Sequence, residues 1–169
     1  YDAVRVTAEE LPGFVERLRA GEYAGLNVTV PHKVRALELA DDADPGARAV
    51  RAANTLVARE GAVVAHNTDV PALAAEIARL GAGSGGDALV LGSGGAARAA
   101  AAAARAAGFA RVVVRSRRPL AEALAGGGDV EVEALGARAT DGQFACILQA
   151  TSAGMAGADP NDAMATTID

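Results

Sequence analysis

The sequence predicts an α/β protein in two parts, a small α/β layer followed by a doubly wound parallel sheet. Three observations carry this. Short apolar runs of strand length alternate with segments whose apolar residues recur at helical spacing. A strand-like run, Asp87-Ala88-Leu89-Val90-Leu91, leads directly into a glycine-rich turn and a long alanine-rich helix. The chain has 169 residues, 51% of them hydrophobic, and a net charge of −5, which suffices for one good core or two small ones.

In the amino-terminal part, Val4-Arg5-Val6 reads as a brief strand. Thr7 and Glu10 make a capping-box pattern opening a helix with apolar residues at Leu11, Phe14, Val15 and Leu18. Leu26 to Val30 reads as the next strand. Pro31 suits the first turn of the following helix, whose apolar positions are Val34, Leu37 and Leu39. An Ala/Arg helix then precedes Asn54, and Thr55-Leu56-Val57-Ala58 and Ala62-Val63-Val64-Ala65 flank Glu60-Gly61 as a hairpin.

A helix from about Val70 to Leu80 runs into the glycine-rich connection Gly81 to Gly86. After the buried strand comes Gly92-Ser93-Gly94-Gly95-Ala96-Ala97-Arg98 and a helix ending near Gly108. Strand, turn and helix in this order form a dinucleotide-binding unit of Rossmann type. Gly92 serves the tight turn, Gly94 the close approach of a pyrophosphate, and small Ala97 the packing of helix on sheet, while the helix amino end offers N–H groups to phosphate. The second strand, Arg111-Val112-Val113-Val114, ends in Arg115-Ser116-Arg117-Arg118. An acidic residue there would hold the 2′-hydroxyl of NAD, whereas arginines suit a 2′-phosphate, so NADP is the expected cofactor. Val130-Glu131-Val132-Glu133 reads as a third strand. Ala145 to Ala150 reads as a fourth, ending in Thr151-Ser152-Ala153-Gly154-Met155, the expected floor of a cofactor crevice.

Fifteen of the sixteen basic residues are arginine, and the one lysine is Lys33, at the end of Asn27-Val28-Thr29-Val30-Pro31-His32-Lys33. Arginine keeps its proton at any working pH, whereas a lysine ammonium can take part in proton transfer. Asp69 taken alone could be a helix N-cap, but Lys33, Asn54 and Asp69 all fall at ends of predicted strands, the edge of an α/β sheet where ligands bind. Cys146 is the single cysteine, in the apolar run Phe144 to Leu148, and reads as a buried strand thiol. With two widely spaced histidines it makes no metal site. The sequence has no run long enough to span a bilayer, no leader-like amino end and no basic block for nucleic acid. A soluble, cytoplasmic protein that meets a small molecule is therefore expected, without membrane or nucleic-acid partners.

Five ordered stretches resemble the shikimate dehydrogenase family: Asn27 to Lys33, Ala53-Asn54-Thr55-Leu56, Asn67-Thr68-Asp69, Gly92 to Arg98, and Ala150 to Met155. The resemblance implies a substrate-binding α/β domain over residues 1–69, lacking its first strand, and an NADP-binding Rossmann domain over 70–169, lacking its carboxy-terminal part. It implies NADPH-dependent reduction of 3-dehydroshikimate to shikimate in aromatic amino acid biosynthesis. Lys33 is then the catalytic lysine with Asp69 as its carboxylate partner, and Thr29 and Asn54 help to hold substrate hydroxyls. By the same resemblance the cofactor would be held by Gly92, Ser93, Gly94, Gly95 and Ala96, by Arg115, Ser116, Arg117 and Arg118, and by Thr151 and Ser152. His32, Gln149 and the Arg115–Arg118 turn depart from the family's usual residues. A quinate or amino-shikimate dehydrogenase and a non-catalytic nucleotide binder stay open as alternatives, as does a homodimer.

Overall fold

The computed structural model describes residues 1–82, 85–116, 130–134 and 143–152. They form two four-stranded sheets, one mixed and one parallel.

No strand forms at Val4-Arg5-Val6. A strand exists only where a neighbour takes up its N–H and C=O groups, and among the described residues no strand pairs with this one; Val4 is exposed. Thr7 and Glu10 do form the reciprocal bonds of a capping box: Thr7 N donates to Glu10 Oε2 at 2.8 Å and Glu10 N to Thr7 Oγ1 at 3.3 Å. The bond from the Thr7 N–H, followed by that with its hydroxyl, holds the Glu10 carboxyl below its usual range. The box closes one turn, and helix α1 (Leu11–Arg19) continues it, burying Leu11, Val15 and Leu18. Phe14 is half-buried and stacks on Tyr23, ring centroids 6.2 Å apart.

Strand β1 (Gly25–Asn27) ends earlier than predicted. Val28 N still donates in register to Asn54 O at 2.7 Å, but Pro31, joined by a cis peptide bond, has no N–H to extend the ladder further. Pro31 also stands outside helix α2 (Lys33–Leu39), one residue ahead of its N-cap His32, rather than within the first turn. Strand β2 (Asp42–Ala43) has only two residues, too few for any periodicity to announce it. Asp44 caps helix α3 (Pro45–Val50), its Oδ1 accepting from Ala47 N at 2.6 Å.

Strands β3 (Thr55–Arg59) and β4 (Ala62–His66) are the predicted hairpin, with Arg59 opposite Ala62. Glu60 and Gly61 both have positive φ, 52° and 82°, the primed-turn geometry whose twist suits a two-residue connection. The sheet order is β1-β3-β4-β2. Its core gathers Val15 and Leu18 of α1, Ala36 of α2, and Leu56, Val63 and Ala65 of the hairpin. Leu18 and Leu56 are fully buried, each contributing roughly 1.5–3 kcal/mol.

Helix α4 (Asp69–Arg79) leads to strand β5 (Asp87–Leu91), helix α5 (Gly95–Ala106) and strand β6 (Arg111–Ser116). Strands β7 (Val130–Ala134) and β8 (Phe144–Gln149) complete a parallel sheet of order β7-β6-β5-β8. The chain steps outward from β5 to β6 to β7 and then returns to the other side of β5. That reversal leaves a crevice at the carboxyl ends of β5 and β8. Ala88, Val90, Val112 and Val114 point to one face, where the alanines of α5 and Ile77 of α4 pack; Leu89, Leu91 and Val113 point to the other, with Phe144. Alternation of buried residues on two faces is why this strand reads as continuously apolar. The small alanines let α5 lie close, with Ala97, Ala101 and Ala104 fully buried.

Cys146 lies on β8, partly buried against the core, and this burial pushes its thiol pKa up. The thiolate is the reactive form. Folded protein at neutral pH should therefore be alkylated by iodoacetamide more slowly than denatured protein, by mass spectrometry. Equal rates would place the thiol in solvent. No helix among the described residues is long and apolar enough to cross a membrane.

Candidate active site

Three element starts converge at the open end of the hairpin. Lys33 is the first residue of α2, Asp69 the first of α4, and Asn54 lies just ahead of β3. Backbone bonds fix them: Ala53 N donates to Lys33 O at 2.8 Å and Asn54 N to His66 O at 3.0 Å. Lys33 Nζ then donates to Asp69 Oδ2 at 2.7 Å, and Asn54 Nδ2 to Asp69 Oδ1 at 2.9 Å. The Lys33 and Asp69 side chains are 13% and 25% exposed, so the pair is sheltered yet open to a ligand. A helix amino end favours a carboxylate and disfavours a cation. Asp69 therefore fits its place in α4, whereas Lys33 owes its place to the carboxylate opposite it.

Asp69 is not the N-cap of α4. Asn67 does that work: its Oδ1 accepts from Asp69 N at 3.0 Å and Val70 N at 3.3 Å, while its Nδ2 donates to Ala52 O at 2.9 Å. Asn67 is 4% exposed and ties the start of α4 to the end of α3. No periodicity marks this residue, although an Asn two residues before a helix is a local signal for such a turn. Asn54 is closely engaged too, its Oδ1 accepting from Thr68 N at 3.0 Å and its Nδ2 also donating to Thr68 Oγ1 at 2.8 Å. Thr29 is exposed in the turn leading into α2, where His32 N donates to Thr29 O at 2.9 Å. The bonds that join Lys33, Asn54 and Asp69 do not include it.

The glycine-rich turn lies at the crevice. Gly92 has φ 131° and donates its N–H to Arg115 O at 2.9 Å, and a Cβ on it would stand 2.6 Å from Ala150 O. Its role is passage between the ends of β6 and β8, beyond the turning of the chain. Ser93 is half-buried. Gly94, the exposed N-cap of α5, would place a Cβ in open space, so the protein leaves room above it. Gly95 lies against Lys33 and Ala52, while Ala96 is half-buried and Ala97 fully buried on the sheet.

Arg115 and Ser116 end β6, each 6% exposed, and the Arg115 guanidinium lies 5.7 Å from the Phe144 ring centroid. Arg117 and Arg118 lie outside the described residues. Thr151 and Ser152 follow β8, where Thr151 N donates to Gln149 Oε1 at 2.7 Å. Among the described residues no three His, Cys, Asp or Glu side chains gather as a metal site. An ammonium on a carboxylate can pass a proton to an oxygen, and a helix amino end with open space above its N-cap can receive phosphate.

Residues 1–56 match the sequence profile of the shikimate dehydrogenase substrate binding domain. The chain is 39% identical over 170 aligned residues to the NADP(+) shikimate dehydrogenase of Citrifermentans bemidjiense, covering 93% of this chain and 59% of that protein. Shikimate dehydrogenase 1 of Peptoclostridium difficile superposes with a TM-score of 0.80 at 27% identity, over 90% of this chain and 56% of that one. Shikimate 5-dehydrogenase of Thermus thermophilus, solved with NADP(H) and shikimate, gives 0.70 at 34% identity, over 87% of this chain and 55% of that one. The chain spans between 44% and 59% of the length of the first two curated relatives. Its amino-terminal sheet corresponds to a substrate-binding domain and its parallel sheet to a Rossmann-type domain, and the chain belongs to the shikimate dehydrogenase family.

Proposed function

We propose that this protein reduces 3-dehydroshikimate to shikimate with NADPH, a step toward the aromatic amino acids. The observation that carries the reading is the sheltered Lys33–Asp69 pair, Nζ to Oδ2 2.7 Å, beside the start of α5. The substrate part comprises residues 1–69 and the cofactor part 70–169, since Leu73, Ala74 and Ile77 of α4 already belong to the second core.

The residues present fit a dinucleotide. A Cβ on Gly94 would meet nothing within 4 Å, so the turn is open there, and the first N–H groups of α5 border the opening. Gly92 to Ala96 would hold the pyrophosphate, Thr151 and Ser152 would floor the crevice, and the Arg115–Arg118 turn would meet the 2′-phosphate. Bound there, NADPH supplies hydride to the ring carbonyl carbon. As the carbonyl oxygen gains charge, the Lys33 ammonium stabilises it and gives it a proton, leaving a hydroxyl group and a neutral amine that is reprotonated from solvent. Asp69 steadies the ammonium and accepts from a substrate hydroxyl. Asn54 holds Asp69 and exchanges its Thr68 contact for the substrate; Thr29 reaches a further hydroxyl.

Oxidation of shikimate with NADP+, followed by nicotinamide absorbance, tests this, with quinate in parallel. Turnover on neither compound would sink the reading, and a clear preference for quinate would move the substrate assignment. Run in the direction of 3-dehydroshikimate reduction, the assay should show preference for NADPH over NADH. A charge-assisted hydrogen bond contributes about 1.5–3 kcal/mol, so Arg117→Ala should raise the KM for NADPH roughly 10- to 100-fold and leave NADH nearly unchanged. Equal use of both cofactors by the unmutated protein would overturn the assignment of this turn.

A further inference from the structure

The first turn of α5 meets the Lys33 region with no room to spare. A Cβ on Gly95 would stand 2.9 Å from Lys33 Cβ and 3.3 Å from Lys33 Cδ and Ala52 Cβ. Ordinary contact begins at 3.4 Å, so one added methyl would part the two backbones by about 0.5 Å. Three residues on, and so on the same helix face, Arg98 Nη1 donates to Arg51 O at 3.3 Å. The Arg98 guanidinium is partly buried, and its Nε has no hydrogen-bond partner among the described residues. Arg51 O lies at the carboxyl end of α3; burial, followed by the positive charge of Arg51 itself, lowers the Arg98 pKa, so the bond to this carbonyl is what holds the guanidinium here. The seam is therefore a built contact: a glycine that admits the stem of Lys33 and an arginine that holds the next turn down.

We infer that Gly95 and Arg98 are positioning residues for Lys33. The start of α5 presses on the methylene stem of the lysine and sets where its ammonium stands, so the phosphate turn and the Lys33–Asp69 pair shift together. Gly95 thereby has a role beyond any contact with cofactor. Gly94, its neighbour on the same turn, faces open space and has no such role. The consequence for turnover rests on the reading of Lys33 as proton donor; the contact itself does not.

Lys33 is the one lysine of this sequence, so lysine labelled at Cε gives a single NMR signal from the pair. Without any ligand, Gly95→Ala should move that signal and Gly94→Ala should leave it in place. Misplacement by about 1 Å costs on the order of 100-fold, so Gly95→Ala should lower kcat roughly 10-fold. It should also weaken shikimate binding measured without NADP+, whereas Gly94→Ala should raise only the KM for NADPH. Arg98→Ala adds no atom and cannot fail by overpacking. It should move the same signal even if Gly95→Ala does not fold. An unmoved Lys33 signal in folded variants, with shikimate binding intact, would overturn the inference while leaving the proposed function standing. A moved signal in a protein that neither binds nor oxidises shikimate would support the contact and sink the function.

Discussion

Lys33→Ala is expected to lower turnover by roughly 100-fold or more, the range for loss of a positioned proton donor. Lys33→Arg should recover little. Guanidinium keeps the charge but does not release its proton, and its planar fork does not match the geometry of an ammonium 2.7 Å from one carboxylate oxygen. Near-normal turnover in the arginine variant would reduce Lys33 to an electrostatic or surface residue. Asp69→Asn should lose rate comparably while the fold holds. The cap of α4 is made by Asn67, and the amide can still accept from Asn54. A variant that only melts earlier, with its rate preserved, would make Asp69 structural.

Gly92→Ala should have the largest effect on stability. Its φ of 131° is rarely open to a residue with a side chain, and the added Cβ would meet a backbone oxygen at 2.6 Å, which cannot rotate away. The strands would have to part at the crevice, at a cost of about 3 kcal/mol or more. Gly94→Ala, at φ −83° with nothing within 4 Å, should stay within about 0.5 kcal/mol of the parent. Urea denaturation of the two variants measures the contrast. A Gly92→Ala protein as stable as the parent would show that the β5–β8 junction is looser than this geometry.

Several features could be read before any coordinates because their causes are local. The Glu60-Gly61 turn follows from two strand-like runs separated by two residues, one of them a glycine that accepts positive φ, and the Thr7–Glu10 box from two side chains three residues apart. The β5–turn–α5 unit follows from a strand buried on both faces and a helix of alanines thin enough to lie on it. The resemblance of five ordered motifs reached further than periodicity could. It singled out Lys33, Asn54 and Asp69, which lie far apart along the chain and within hydrogen-bonding reach in the fold.

Other features belong to contacts between distant segments. The segment at Val4 to Val6 has strand propensity and no partner, so it forms no strand; β2 has almost no propensity and forms because β4 offers a parallel edge. On paper Asp69 is a candidate helix cap, yet in the fold Asn67 makes the bonds. Ala52 O, fifteen residues before Asn67, accepts its side-chain N–H, which leaves the Asp69 carboxylate for Lys33. Gly92 and Gly95 look alike in the sequence, yet one is required by the carbonyl of Ala150 and the other by the stem of Lys33. Sequence alone determined the helices, the hairpin, the glycine turn and the chemical groups this protein has, because turns, caps and periodic burial act over a few residues. Tertiary structure decided which of those groups meet, because a hydrogen bond or a steric limit depends on separation in space.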